Sequence, residues 1–343
     1  MSSGKLLFDS LDACLGPGDS RFFGSGYKRV GQHLRHIVAD GSTEPGGTVA
    51  ARAALSYPLD WSRKADGREL RPHLSSIDAL VLAASLAEIH LNAARGLRPG
   101  QQRRTWLRSA DVRAGARPHE DLSDFAVEAR LRSTGPARGP YGPDAETYSV
   151  YDCRIGGLKV RCTFAHEVGD PARGGPARYV SDEDALGPAS ERHYGEGYKA
   201  HSQHADDVSV ELAEQRVRAR QYVEPGSGGA AVVKGAEAAY APSVSLIDCM
   251  VSVAQLAQAL LYSYDRVDRV DSNTLWMRRI SIGAQAPSRP YGGPFDASAR
   301  VTRTRLLGHD GGSWRVADLT VDDFNGIHGW CSLAHRLPVA AAA

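Results

Sequence analysis

The sequence predicts an α+β fold built twice, with one long central helix and a curved antiparallel sheet in each half. Three observations predict it. The chain repeats itself at a spacing of about 170 residues, each repeat contains one helix-length apolar run, and period-two alternation follows that run in both copies. The repeat is clearest where Leu15-Gly16-Pro17, Arg21, Gly24, Gly26, Tyr27 and Lys28 return as Leu186-Gly187-Pro188, Arg192, Gly195, Gly197, Tyr198 and Lys199. Eight of fourteen positions are identical at an offset of 171. A unit this long is too large for a solenoid repeat and reads as a duplicated domain.

The correspondence runs on through the chain. Pro72, Ser75, Ile77, Asp78, Val81 and Leu86 recur as Pro242, Ser245, Ile247, Asp248, Val251 and Leu256, and Cys162 to His166 answers Cys331 to His335. The Gly-Asp-Pro-Ala-Arg-Gly-Gly-Pro stretch within residues 168–178 reads as a linker, which gives an N-terminal domain over 1–170 and a C-terminal domain over 177–343. Two other breaker-rich stretches, 134–144 and 224–229, read as loops inside the halves.

Each element follows from its pattern. The runs Ser76–Leu91 and Leu246–Leu261 are apolar nearly all round, so each predicts a helix wrapped on every side by other structure. Alternation predicts strands at Trp106–Val112, Phe125–Leu131 and Leu158–Ala165. In the second half the strands are Trp276–Ala284, Phe295–Thr304, Trp314–Val321 and Gly329–Ala334. A central helix followed by antiparallel strands is the element order of a hotdog domain. Two copies make a double hotdog, an intramolecular pseudo-dimer with its working surface between the halves. Parallel βαβ units are disfavoured, because strands after the helix do not alternate with further helices.

Composition excludes several classes. Net charge is +1, which gives no footprint for nucleic acid or an anionic membrane. No run of 18 apolar residues exists, and the first residues lack a basic-then-apolar leader pattern, so a cytoplasmic protein is expected. Five cysteines without C-x-x-C spacing fit a reducing compartment, and Cys162 and Cys331 read as small core residues. His33-x-x-His36 and His201-x-x-His204 have metal-like spacing, but they fall out of register between the repeats and lack further ligands. Neither a metal nor a cofactor is expected.

Asp78 and Asp248 are the first candidates for chemistry. Each lies at the start of an apolar helix, where a buried carboxylate is costly unless paired or used. Their structural reading is a capping box, with Ser75 or Ser245 as N-cap and Asp at N3. His73 is a further acid–base candidate with no His counterpart, since Ser243 stands at its place. Tyr27 and Lys28, in a Gly-x-Gly-Tyr-Lys segment, read as a turn into the first strand that also lines a pocket, and neither copy is a phosphate-binding loop. Trp61, in a polar stretch, and Arg71, just before the helix, complete the substrate-binding candidates. His166 and His335 read as structural strand ends.

The spacing of Pro72 to Asp78 and Pro242 to Asp248 resembles that of the hotdog dehydratases of fatty-acid synthesis. There a catalytic carboxylate follows a helix-starting Pro by six residues, and a catalytic His precedes it by fourteen. Lys64 and Lys234 stand where that His would be. The resemblance implies that the two groups come from opposite halves, pairing Lys234 with Asp78 and Lys64 with Asp248. Lysine in place of His argues against ordinary dehydration, because an ammonium polarises a carbonyl more readily than it shuttles protons.

Leu15–Arg29, Tyr57–Lys64 and Arg71–Ala79 resemble the bacterial avirulence D family, the syringolide synthases. The resemblance covers nearly the whole chain. It implies an enzyme of secondary metabolism that joins a β-ketoacyl thioester, carried by acyl carrier protein or CoA, to a sugar or ketose hydroxyl with ring closure. The γ-butyrolactone signal synthases are a related idea. Alternatives on the same fold are a dehydratase, thioesterase or cyclase acting on a carrier-bound polyketide, or a non-catalytic acyl-thioester binder. A homodimer of the whole chain is left open.

Overall fold

The computed structural model describes residues 4–61, 71–136, 146–170, 175–226, 231–269, 272, 275–309 and 311–338. The first repeat holds β1 (Lys5–Ser10), α1 (Leu11–Leu15), β2 (Gly31–Ala39), β3 (Thr48–Ser56), α2 (Ser76–Arg95) and α3 (Pro99–Arg104). It continues with β4 (Trp106–Arg113), β5 (Phe125–Pro136), β6 (Glu146–Ile155) and β7 (Leu158–Glu167). The second holds β8 (Ala177–Ser181), α4 (Asp182–Leu186), β9 (His201–Glu211), β10 (Arg216–Pro225) and α5 (Leu246–Asp265). It ends with β11 (Trp276–Ala284), β12 (Phe295–His309), β13 (Gly312–Phe324) and β14 (Ile327–Arg336).

All fourteen strands form one sheet, in the order β1-β9-β10-β12-β13-β14-β11-β4-β7-β6-β5-β3-β2-β8. Every pairing in it is antiparallel. The two halves join where β11 meets β4, with Ile280 opposite Val112 and Ile282 opposite Ala110. The outermost strands are exchanged. β1 belongs to the first repeat by sequence but pairs with β9, with Leu6 opposite Val210 and Phe8 opposite Val208. β8 opens the second repeat but pairs with β2, with Ile37 opposite Tyr179. The units 1–170 and 177–343 therefore each lend their leading strand to the other. The expected linker contains residues 171–174, which lie outside the described residues, as do 137–144 and 227–229 of the two expected internal loops.

The two long helices sit where the sheet can cover them. α2 packs against β2 to β7, and α5 against β9 to β13 with β4. Ile77, Leu80 and Leu86 of α2 and Val251, Leu256 and Leu260 of α5 are fully buried. Burying such a side chain is worth about 1.5–3 kcal/mol, so these stripes hold each helix to its part of the sheet. Both helices are long and apolar enough to cross a membrane by composition, yet 89% and 83% of their apolar windows lie inside the protein. α2 ends at Gly96, whose φ of 57° closes the last turn in the left-handed region. Cys162 and Cys331 are buried core residues, as expected.

Buried carboxylates also tie the seam. Glu88 on α2 accepts from the backbone N–H of Ala236 in the second half at 2.8 Å. Glu237 accepts from Tyr194 Oη at 2.6 Å and from the N–H of Leu107, in the first half, at 3.2 Å. Burial pushes the Glu88 carboxyl upward.

Candidate active site

Two polar networks form, one at the N-terminus of each long helix. Asp78 and Asp248 are both 1% exposed. Each is the N3 residue of a complete capping box, so the structural reading of both positions holds. In the first, Asp78 Oδ2 accepts from Ser75 Oγ at 2.6 Å. In the second, Asp248 Oδ2 accepts from the N–H and Oγ of Ser245, both at 2.7 Å. A cap on a buried helix end needs no more than this, yet each carboxylate collects further donors.

A glutamine supplies one of them in each half. Gln32, at the start of β2, donates to Asp78 Oδ1 at 2.8 Å, and Gln203, at the matching place in β9, donates to Asp248 Oδ1 at 2.6 Å. Each glutamine is held in turn by a tyrosine from the other half. Tyr27 Oη donates to Gln203 Oε1 at 3.1 Å, while Gln32 Nε2 donates to Tyr198 Oη at 2.9 Å. The two tyrosine rings stack with centroids 6.3 Å apart. The Gly-x-Gly-Tyr-Lys segments make this crossing possible. They form short 3-10 turns at Gly26–Arg29 and Gly197–Ala200 that pack against each other. A Cβ at Gly24 would collide with the backbone of Gly18, and one at Gly195 with that of Ala189, so the close chain approach requires glycine. The segment is thus a turn into β2, which is the second strand of the chain rather than the first.

The last donor separates the sites. Asp78 receives the Tyr57 hydroxyl in a short contact, and Tyr57 Oη also lies 3.1 Å from the carbonyl of His73. Asp248 receives His201 Nδ1, at 2.9 Å from Oδ2 and 3.1 Å from Oδ1. The repeat places Val30 where His201 stands. Burial works against protonation of His201, but the Asp248 carboxylate outweighs it, and the imidazole is held above its ordinary value. Burial opposes ionisation of Asp248, while His201 and the Ser245 cap hold it well below the usual carboxylate range. Tyr291 and His193 pack beside the imidazole, with centroids 5.4 and 5.9 Å from it. Nδ1 is committed to the carboxylate, so Nε2 is the nitrogen left for a substrate proton.

The predicted residues divide unevenly. Asp78, Asp248 and Tyr27 belong to these two networks. Trp61 is buried in an aromatic cluster, edge-on to Phe22 at 5.3 Å and to Tyr57 at 5.4 Å. His73 lies 5.9 Å from Trp61 and 4.9 Å from Trp276 of the second half, and burial lowers its basicity. It thus stands beside the Tyr57–Asp78 pair rather than on it. Lys28 donates to the carbonyl of His201, and its counterpart Lys199 donates to that of Val30 at 2.7 Å, so both lysines lock the turns together. Lys234 requires a correction. Its ammonium pairs with Glu191 at 2.6 Å and its side chain is 53% exposed, so it does not reach Asp78. Residues 187 to 199 fold back beside it, and Glu191 offers a nearer carboxylate than any across the seam. Arg71 is corrected likewise: its side chain is 78% exposed and is held at the surface by Glu120 at 2.8 Å. Lys64 lies outside the described residues.

Gln203, Gln32, Tyr198 and Tyr57 are site residues that the sequence does not single out, and His201 stands out in it only through the His201-x-x-His204 spacing weighed for a metal. A further signal for His201 lies in the repeat, where Val30 occupies the corresponding position.

The duplicated helix-on-sheet fold and its paired polar networks define an α+β protein in which a buried His201–Asp248 pair stands at the start of one long helix. Residues 5–338 match the model of the Pseudomonas avirulence D protein (AvrD) family, and the chain belongs to that family. No curated protein matches the sequence. Among solved structures, a tesB protein from Mycobacterium avium subs paratuberculosis is similar at 9% identity, with 85% of this chain and 93% of that chain covered and a TM-score of 0.39. A conserved protein with a hot dog fold from Alicyclobacillus acidocaldarius gives 11%, 85%, 94% and 0.32 in the same order. The bifunctional dehydratase-cyclase domain of ambruticin biosynthesis gives 14%, 91%, 100% and 0.33.

Proposed function

We propose that the chain is a double-hotdog enzyme of secondary metabolism that transfers a β-ketoacyl group from a thioester to a hydroxyl of a sugar or ketose acceptor and then closes a ring. The observation that carries this reading is the buried His201–Asp248 pair at the N-terminus of α5. Membership of the avirulence D family supports it.

In this mechanism His201 Nε2 takes the proton of the acceptor hydroxyl, and Asp248 holds the imidazolium that results. The acceptor oxygen attacks the thioester carbonyl. The first-turn N–H groups of α5, at Leu246 and Ile247, have no partner within the helix and face developing oxyanion charge. Collapse of the tetrahedral intermediate breaks the C–S bond, and the leaving thiolate takes the proton back from His201. His201 then takes a proton from the carbon between the two carbonyls of the transferred β-ketoacyl group, that carbon attacks the ketone of the acceptor, and the alkoxide so formed takes the proton back from His201 as the ring closes. The acyl tail lies between the long helices, against Leu82 and Val253. Asp78, with Tyr57 and His73 close by, is the second candidate centre and is proposed as a positioning site for the acyl portion.

The test is incubation of the protein with β-ketoacyl-CoA and β-ketoacyl carrier protein, with and without a ketose, following thiol release and product mass. Acceptor-dependent thiol release with an acyl-ester or cyclised product is expected. Acceptor-independent release makes the protein a thioesterase, loss of water from a β-hydroxyacyl thioester makes it a dehydratase, and binding without turnover makes it a carrier.

A further inference from the structure

β1 forms one open edge of the fourteen-stranded sheet and β8 forms the other. The two edges differ in what they show to solvent. β1 reads Lys5-Leu6-Leu7-Phe8-Asp9 before Ser10 caps α1. Leu7 is 70% exposed and Leu6 37%. An apolar strand left open in this way is a template for another strand.

The backbone determines which groups of β1 are free. Lys5 lies opposite Glu211, and one step further the N–H of Leu212 donates to the carbonyl of Gly4. Hydrogen-bonded pairs alternate along an antiparallel ladder, so Leu6–Val210 and Phe8–Val208 are the next such pairs. The N–H and C=O groups of Lys5, Leu7 and Asp9 therefore point away from β9, to the open side. The side chains of these three residues share one face of the strand, and those of Leu6 and Phe8 share the other. Phe8 packs on the core.

A second copy of β1 matches this pattern when it runs antiparallel about a two-fold axis at Leu7. Leu7 then meets Leu7 of the second copy through the free backbone groups of both. Lys5 comes opposite Asp9 on each side of the axis, which pairs unlike charges twice. Leu6 comes opposite Phe8, and its exposed surface gains apolar cover. Moving the axis by one residue loses these matches: at Leu6 it sets Lys5 against Leu7, and at Phe8 it sets Asp9 against Leu7. Lys5 lies 3.8 Å from Glu211 in its own chain, a long and exposed ion pair that costs little to share.

β8 offers no such match. Ala177–Ser181 contains Arg178 and no acidic residue, so no pairing of β8 with itself balances charge. A pairing of β1 with β8 would leave a free edge at each end and string copies together without closing.

We infer that β1 is the interface of a closed two-fold dimer, in which the sheets of two copies of this chain join edge to edge through their β1 strands.

The experiment is sedimentation of the intact chain at concentrations up to about 100 μM, a range that reads micromolar dissociation constants. Wild type is expected to reach twice the mass of one chain and to stop there. Lys5→Asp and Asp9→Lys should each weaken the dimer by about ten-fold or more, because each sets like charges opposite on both sides of the axis. The double exchange Lys5→Asp/Asp9→Lys should bring the affinity back to within about three-fold of wild type. That rescue separates the interface from a structural role of Lys5, since the exchange leaves Glu211 without its lysine. Leu7→Arg, at an exposed position, should abolish the dimer while circular dichroism reports an unchanged fold. If Lys5→Asp fails to fold, Asp9→Lys and Leu7→Arg decide. A monomer at every concentration overturns the inference, as does a dimer that survives these substitutions or a loss that the double exchange does not rescue. Mass that keeps growing with concentration overturns it too, and sets β1 against β8 instead.

Discussion

The Asp78 and Asp248 networks share a capping box, a glutamine and a tyrosine borrowed from the opposite half, and they differ in the final donor. Tyr57 gives Asp78 a phenol that burial and the neighbouring carboxylate push well above its ordinary value, so it holds its proton. His201 gives Asp248 an imidazole able to exchange one. The shared parts are what the fold demands at the end of a buried helix. The parts that differ are where the two copies became free to specialise, so the comparison separates scaffold from chemistry within one molecule.

The largest effect should come from the imidazole itself. His201→Ala and Asp248→Asn should each lower kcat by about 10²–10⁴-fold, the usual contribution of a positioned base, whereas Asp78→Asn and Tyr57→Phe should cost less. Steady-state rates of the four variants check this, and the reverse ranking would move the chemistry to the first half. The scaffold should respond evenly. Leu86 and Leu256 occupy matching fully buried places, so Leu86→Ala and Leu256→Ala should each destabilise the protein by about 2–5 kcal/mol in denaturant unfolding. A large inequality would show that the two helices are not equivalent supports.

Acidity sharpens the contrast further. The folded pKa of His201 is raised above 6.5, so its pairing contributes stability that is full below that value and is lost as pH rises through the folded value. Asp248 is depressed below 3.8, and its share is present above that value and lost as pH falls through the folded one. The stability gap between wild type and His201→Gln, read from urea midpoints, should therefore be widest between these limits and shrink towards alkaline pH. As a base His201 must be neutral, so kcat/KM should rise with pH through a value above 6.5. The smallest change is expected at the borrowed tyrosines: Tyr27→Phe should cost about 0.5–1.5 kcal/mol, the net worth of one hydrogen bond. An effect on turnover larger than that would place Tyr27 in the reaction.

Much of the scaffold was legible in the sequence, because it is written in local pattern. The helix starts at Ser76 and Leu246 and the strand Trp276–Ala284 fall where the apolar periods put them, and the capping boxes follow from Ser-x-x-Asp. β1 and β8 were not legible. They are short edge strands with half-exposed side chains, and their partners lie in the other repeat. β2, β3, β9 and β10 were missed too, since bulges interrupt β2 and β9 where they pair with β3 and β10. The site was half legible. Asp78 and Asp248 stand out as charges in apolar helices, but Gln203 and Gln32 are ordinary strand residues until the sheet carries them to a helix end. Lys234 was misread because spacing borrowed from another family fixes sequence distance and leaves loop direction undetermined. Here the loop turns toward Glu191.

The exchange of the leading strands has a consequence for any attempt to divide the molecule. A gene cut between codons 170 and 177 would yield two fragments, each lacking its own outer strand and carrying its partner's. Neither fragment alone can cover its open edge, and exposed edges invite self-association. Co-expressed, the fragments have every complementary surface needed to reassemble, which makes the chain a natural split protein whose activity reports on their reunion.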